Sequence, residues 1–195
     1  MLDKSAQAGQ HAYKERGFDC YQTPPCAVEA LLKVEKLPKK IWEPACGPGA
    51  IVKVLRSRGH EVIGSDLIRY EDPTHFYGRD FLTERLPQGC GAVVTNPPFQ
   101  LAAQFVRHAL EIECPLVIML LRLAFLESVG RADIFDRGSG FARVHVFANR
   151  LPMLHRHNWT GPKASSAIAF CWMAWERGYD GPATIDTITW ENGRI

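Results

Sequence analysis

Several features that would assign a protein to a special class are missing from this sequence of 195 residues. Its six cysteines form no Cys-x-x-Cys pair and no spacing typical of metal ligands, which predicts reduced thiols, a cytoplasmic protein and no bound metal. No signal peptide is visible, and the apolar run 115–126 is too short for a membrane span and is interrupted by Arg122. The net charge of +2 is too small to identify a partner.

Acidic residues are absent from a long stretch of the C-terminal half, since none lies between Asp136 and Glu176. Within this stretch the loop 150–166 combines basic and aromatic side chains, which suit contact with phosphates and stacking on bases. We predict that this loop faces nucleic acid, and an ordinary solvated loop is the alternative. The candidate substrate-binding residues in it are Arg150, Arg156, Trp159 and Lys163.

A glycine-rich turn follows a short apolar strand in the segment 41–49, whose sequence is IWEPACGPG. Residues 50–58 then carry apolar side chains on one face of a helix, and the next strand, 61–66, ends in Asp66. This βαβ pattern predicts a parallel sheet with a ligand at the carboxyl ends of its strands, where Asp66 can accept hydrogen bonds from both hydroxyls of a ribose. Val52 occupies the position of the third glycine of the nicotinamide fingerprint, so the pattern disfavours a nicotinamide cofactor.

A second motif, Asn96-Pro97-Pro98-Phe99, follows the apolar run 92–95, which is typical of a buried strand. An exocyclic amine on a purine is a poor nucleophile because its lone pair is delocalised into the ring. Acceptors on its N–H groups favour a tetrahedral nitrogen, and the side-chain oxygen of Asn96 and the carbonyl of Pro97 can serve as such acceptors. Phe99 can stack on the base. The motif therefore points to methyl transfer onto a planar amine, and a proline-rich turn is the alternative.

Together and in this order, the two motifs resemble those of the class I S-adenosylmethionine-dependent methyltransferases, in particular the small phage- or prophage-type N6-adenine-specific DNA methyltransferases. The resemblance covers roughly residues 15–178. It implies S-adenosylmethionine as the cofactor and direct methyl transfer to the N6 amino group of adenine in DNA, without a metal or a general base. The catalytic residues that it implies are Asn96, Pro97, Pro98 and Phe99. The cofactor-binding residues that it implies are Tyr21, Thr23, Pro24, Glu43, Pro44, Ala45, Cys46, Gly47, Gly49, Asp66, Asp80, Phe81 and Asn96.

The chain has no room for the sizeable target-recognition domain that restriction-type adenine methyltransferases usually carry. We therefore predict a single domain over 1–195, with duplex or single-stranded DNA as the partner and RNA as an alternative partner. Three other functions remain open: an RNA adenine-N6 methyltransferase, a protein-glutamine methyltransferase, and a protein that binds the cofactor without catalysis. The recognised sequence and the oligomeric state are not predicted.

The expected fold is α/β and Rossmann-like, with a mostly parallel seven-stranded sheet, an antiparallel final strand and helices on both faces. A composition of 46% apolar and 23% charged residues is ordinary for such a globular domain. Thr23 is expected to cap the first helix as well as to contact ligand. Helices are predicted over 26–33, 50–58, 100–113 and 127–135, and late strands over 115–121, 143–149 and 167–175, with 185–188 as a candidate short strand.

Overall fold

The computed structural model describes residues 22–152 and 168–190. Its helices are α1 (Pro25–Val34), α2 (Ala50–Ser57) and α3 (Ala102–Glu111). Its strands are β1 (Lys40–Glu43), β2 (Glu61–Asp66), β3 (Phe76–Tyr77), β4 (Ala92–Thr95), β5 (Leu116–Arg122), β6 (Phe141–Phe147), β7 (Phe170–Glu176) and β8 (Thr184–Ile188). Within these residues, no helix has both the length and the apolar character needed to cross a lipid bilayer.

The strands form one sheet in the order β3-β2-β1-β4-β5-β7-β6-β8. Strands β1 to β5 are parallel, and β7 runs antiparallel to both of its neighbours, β5 and β6. The predicted Rossmann-like, mostly parallel sheet is therefore confirmed. Parallel strands place their carboxyl ends at one edge, so the residues after β1, β2 and β4 meet there.

Two details of the predicted sheet are wrong. The sheet has eight strands rather than seven, because the segment Thr184–Ile188 pairs with β6 from Arg143↔Thr184 to Phe147↔Ile188. The antiparallel strand is β7, whereas the final strand β8 lies parallel to β6. The candidate short strand at 185–188 is thus confirmed as Thr184–Ile188, although its exposed, polar pattern differs little from that of a loop.

Each face of the sheet has its own apolar core, because neighbouring strand residues point to opposite faces. In β5, Ile118 and Leu120 face the side covered by α1 and α2, while Val117 and Met119 face the side covered by α3. Trp172 in β7 also donates its indole N–H to the carbonyl of α1 residue Ala27, with an N–O distance of 2.9 Å. Helices thus lie on both faces, as predicted.

Two local predictions fail. The segment predicted as a helix over 127–135 forms no α-helix: the 3₁₀ helix Leu123–Leu126 precedes it, and the 3₁₀ helix Val129–Ile134 lies within it. Ser128 separates them with an extended backbone, and its side-chain oxygen accepts the N–H of Gly130. Thr23 is not the N-cap of α1, because Pro24 takes that position and no side chain caps the helix.

A buried ionic network ties α1 to the C-terminal strands. The carboxylate of Glu35, at the end of α1, accepts hydrogen bonds from His145 Nε2 at 2.8 Å and Arg143 Nε at 2.6 Å. The other ring nitrogen of His145 lies 2.6 Å from Oδ1 of Asp186 in β8. With side chains of His145 and Glu35 only 4% and 6% exposed, an ion pair here is largely shielded from water.

The pKa values of this pair follow from the geometry. Burial alone would lower the pKa of His145, but its bonds to Glu35 and Asp186 outweigh burial and raise it above its ordinary value of 6.5. Burial alone would raise the pKa of Glu35, but the bonds from His145 and Arg143 lower it. The stabilisation from His145 is therefore complete below its unfolded pKa and is lost as the pH rises through its higher folded pKa.

We predict that His145→Gln costs about 3 kcal/mol of unfolding free energy near pH 6, because Glu35 then loses the more deeply buried of its two cations and keeps only Arg143. The cost should shrink as the pH rises above the folded pKa, since wild-type His145 then becomes neutral. Urea unfolding of both proteins from pH 6 to pH 9 measures the difference. A difference that stays constant across this range would contradict a protonated His145.

Candidate functional site

The carboxyl ends of β1, β2 and β4 converge on a cavity of about 310 Å³. Most of the residues that the motifs predicted line it: Thr23, Glu43, Pro44, Ala45, Cys46, Gly47, Asp66, Asp80, Phe81, Asn96, Pro97, Pro98 and Phe99. The two motifs are about 50 residues apart in the sequence. Parallel pairing of β1 with β4 brings them into one site.

Glu43 connects the end of β1 to the start of α2. Its Oε2 accepts the N–H of Val52, in the first turn of α2, with an N–O distance of 3.0 Å. The helix needs this external acceptor because its N-cap, Gly49, has no side chain. Burial raises the pKa of Glu43 well above its usual range, and the neighbouring Asp66 carboxylate adds to the effect.

Asp66 fixes the glycine turn against the end of β2. Its Oδ2 accepts the N–H of Gly47 and its Oδ1 accepts the N–H of Ile68, each with an N–O distance of 2.8 Å. A backbone bond from Cys46 N to Ser65 O, at 3.0 Å, joins the same two segments. Burial raises the pKa of Asp66, and these amide bonds oppose that rise.

Cys46 lies in the turn between these acids. Burial raises the pKa of its thiol, and the carboxylates of Glu43 and Asp66 raise it further. A thiol under these conditions stays protonated and is a poor nucleophile. Cys46 therefore serves as a small side chain that fits a tight turn.

Asp80 and Phe81 close another side of the cavity. Asp80 is exposed, and its Oδ1 accepts the N–H of Leu82 at 3.0 Å, so it caps the 3₁₀ helix Phe81–Thr83. Phe81 is buried against Trp42 and Phe105, with ring centroids 5.1 and 4.7 Å away. This packing holds Phe81 in place while the ring still faces the cavity.

The second motif forms a corner beyond β4. Asn96 donates from Nδ2 to the hydroxyl of Thr23, with an N–O distance of 3.1 Å, so the amide has a defined orientation. The carbonyl of Pro98 accepts the N–H of Leu101 in a 3₁₀ turn. Among the described residues, no backbone amide donates to the carbonyl of Pro97. The corner thus holds an oriented amide next to a backbone carbonyl.

Aromatic and cationic groups cover the outer part of this corner. The guanidinium carbon of Arg122 lies 4.2 Å from the centroid of the Phe99 ring. Phe170 lies on the other strand that borders β5, with its ring centroid 6.1 Å from that of Phe99. A planar ligand that stacks on Phe99 would therefore meet the Arg122 side chain.

Some predicted residues do not line the cavity. Pro24 is buried at the start of α1, and Gly49 lies at the start of α2 with a φ of +82°. Arg150 is exposed after β6, where its carbonyl accepts the indole N–H of Trp190. Four further candidates lie outside the described residues: Tyr21, Arg156, Trp159 and Lys163.

Sequence reasoning also missed lining residues. The largest missed set comes from the segment after β2, namely Leu67, Ile68 and Tyr70. Leu67 and Ile68 could have been found, because two apolar residues directly after a strand-ending acid lie at the ligand edge of a parallel sheet. The others are Gln22, Pro48, Ala50, Ile51, Arg79, Leu101 and Phe105.

Comparisons of sequence and of structure give different results. No sequence-family model matches this chain, and no curated protein sequence matches it. Among solved structures, a protein of Pyrococcus horikoshii assigned as an RNA methyltransferase has a TM-score of 0.55 at 17% identity, over 91% of this chain and 98% of that one. A dimethyladenosine transferase of Plasmodium falciparum has a TM-score of 0.51 at 14% identity, over 80% of this chain and 63% of that one.

A third similar structure is the modification subunit of a Vibrio vulnificus protein assigned as a type I restriction enzyme. It has a TM-score of 0.55 at 14% identity and covers 97% of this chain. This chain spans only 51% of that subunit, so about half of the subunit has no counterpart here. At these identities the three likenesses establish the fold, which is the methyltransferase fold.

Gly49 allows the buried ring of His75 to lie under the glycine turn. A Cβ at Gly49 would lie 2.3 Å from His75 Cε1, and the backbone there has a φ of +82°. Gly59 offers a matched control, because its φ is +88° and a Cβ would meet nothing within 4 Å. An alanine at either position would therefore meet the same backbone strain, but only at Gly49 would its Cβ clash with a neighbouring side chain.

We predict that Gly59→Ala costs about 1 kcal/mol of unfolding free energy, from the left-handed backbone alone. Gly49→Ala should cost roughly 2 kcal/mol more, because the ring of His75 must move. Adding His75→Ala to each glycine variant should recover stability only in the Gly49→Ala background. Urea unfolding measures all of these variants, and equal costs at the two glycines would contradict the packing of His75 under the turn.

Proposed function

We propose that this protein transfers a methyl group from S-adenosylmethionine to the N6 amino group of adenine in DNA. The observation that carries the proposal is the corner at Asn96, whose amide is oriented by Thr23 beside the Pro97 carbonyl and the cavity. This geometry offers two oxygen acceptors to one planar amine. The methyltransferase fold and the two acids at neighbouring strand ends support the choice of cofactor.

The residues of the cavity fit S-adenosylmethionine. Its ammonium and sulfonium groups are positive, and Glu43 and Asp66 place two acidic side chains at the cavity. Burial raises the pKa of both, and a cation bound beside them would favour their charged forms. Each oxygen of Asp66 accepts one backbone N–H, and a carboxylate oxygen has a second lone pair with which to accept a ribose hydroxyl. The apolar side chains of Ile68 and Phe81 provide surfaces for the adenine ring.

The chain's own groups prepare the nucleophile. Asn96 Oδ1 and the Pro97 carbonyl each accept one N–H of the substrate amine, which localises the nitrogen lone pair. Phe99 stacks on the base and aligns it. When bound, the cofactor supplies a methyl carbon whose bond to sulfur breaks as the nitrogen bonds to it. The extra proton on nitrogen then leaves to water, so no metal or general base is required.

Incubation with tritium-labelled cofactor tests the reaction. We expect label in adenine-containing duplex or single-stranded DNA, recovered after digestion as N6-methyldeoxyadenosine, and none in DNA that lacks adenine. Asn96→Ala should reduce transfer at least about 100-fold, since it removes an oriented polar group of the reacting centre. It should leave the calorimetric affinity for S-adenosylhomocysteine nearly unchanged. Label in RNA or in lysate protein instead of DNA would overturn the choice of substrate.

Thr23 should act on catalysis through Asn96. We predict that Thr23→Val lowers kcat about tenfold, because the Asn96 amide loses the acceptor that orients it. Thr23→Ser keeps the hydroxyl and should retain most of the activity. Steady-state kinetics on DNA measures both variants. The idea fails if Thr23→Ser is as slow as Thr23→Val, or if Thr23→Val changes only the KM for the cofactor.

A further inference from the structure

Arg122 is the last residue of β5 and lies at the carboxyl ends of the parallel strands, on the side of the sheet where the cavity lies. Strand β5 pairs in parallel with β4 through Thr95↔Met119, so Arg122, three residues after Met119, lies beside the segment that follows β4 and carries Phe99. Its side chain is exposed and its guanidinium lies over the ring of Phe99. The sequence motifs do not include it.

The guanidinium of Arg122 has no carboxylate partner among the described residues. Five other arginines do pair with a glutamate or aspartate, namely Arg58, Arg79, Arg107, Arg143 and Arg177, whereas the remaining described arginines, like Arg122, have no such pair. Arg79 also lines the cavity, but Glu84 engages it through two bonds of 2.8 Å. Arg122 is thus a cation beside the corner whose N–H donors are not engaged by a described acid.

The contact between the Arg122 guanidinium and the Phe99 ring is weak enough for a stacked base to replace it. A cation over an aromatic ring at an exposed site contributes only about 0.5–1 kcal/mol. A base that stacks on Phe99 can displace the guanidinium at small cost. The displaced side chain, still anchored at the end of β5, then lies beside the nucleotide that carries that base, whose nearest anionic group is a phosphate.

We propose that Arg122 binds a backbone phosphate of the nucleotide whose base stacks on Phe99. The inference rests on the proposed function and deepens it, because it names a contact between this chain and the polymer. A guanidinium suits the role, since its planar donors match the oxygens of a phosphate in a bidentate arrangement. Arg122 would then hold the target nucleotide from the side opposite the cofactor acids.

The test measures binding of a fluorescein-labelled, adenine-containing DNA duplex by anisotropy at several KCl concentrations. Arg122→Gln removes the charge and keeps a planar polar group, whereas Arg122→Lys keeps the charge. Arg137→Gln is the matched control, because Arg137 is exposed and precedes β6, whose amino end lies at the opposite edge of the sheet. Both glutamine variants change the net charge equally.

We expect Arg122→Gln to reduce the slope of log affinity against log salt by about one unit, as loss of one phosphate contact requires. Binding at low salt should weaken on the order of fivefold. Arg122→Lys should keep most of the slope, and Arg137→Gln should leave it as in the wild type. An unchanged slope in Arg122→Gln, or equal changes in both glutamine variants, would overturn the inference.

The methyl-transfer assay separates this inference from the proposed function. Wild-type protein that shows the Arg122-dependent slope but transfers no methyl group would overturn the reaction and leave the phosphate contact supported. Protein that methylates DNA while Arg122→Gln has the wild-type slope would overturn the phosphate contact alone. An Arg122→Gln variant with a lower kcat, an unchanged KM for DNA and an unchanged slope would assign Arg122 to supporting Phe99, which also overturns the inference.

Discussion

The hydrogen bond from the Gly47 amide to the Asp66 carboxylate is the contact on which the rest of the site depends. It joins the turn after β1 to the end of β2 with an N–O distance of 2.8 Å, and the backbone bond from Cys46 N to Ser65 O holds the same two segments together. Because Glu43 holds the start of α2 in the same way through Val52, three elements are fixed around one cavity by two buried carboxylates. Both acids therefore have a structural task as well as a place in the proposed binding of a cofactor.

The two halves of the site are held by different means. The half around Asp66 and Glu43 depends on bonds to backbone amides, which tolerate little movement. The half around Asn96 includes a side-chain bond to Thr23, a residue 73 positions earlier in the chain. A cofactor that binds against the first half also borders the segment that orients Asn96. Binding of the cofactor and orientation of the substrate amine are thereby connected through α1 and the residues before it.

Sequence patterns revealed the parts of this site that are local in the chain. A strand, a glycine turn and a terminal acid within 41–66 predict a ligand edge, and the structure places Glu43, Gly47 and Asp66 there. Contacts between distant residues carry no such pattern, which is why the bond of Thr23 to Asn96 and the position of Arg122 were not predicted. The same limit explains why 185–188 was predicted only as a candidate strand and its partner was not, since the pairing of β8 with β6 depends on tertiary contacts more than on its own residues.

The chemistry and the choice of polymer depend on different parts of this molecule. In the proposed reaction the acceptors at Asn96 and Pro97 bind an amino group that is identical in the adenine of DNA and of RNA. A phosphate contact by Arg122 would also serve both polymers, because phosphodiesters position a nucleic acid without distinguishing its sugar. Discrimination requires a group that senses the 2′-hydroxyl or the helix geometry. Under the proposed function, the corner at Asn96 therefore accounts for the choice of the reacting atom, and selectivity for DNA would have to come from side chains that meet the sugar on either side of the target nucleotide.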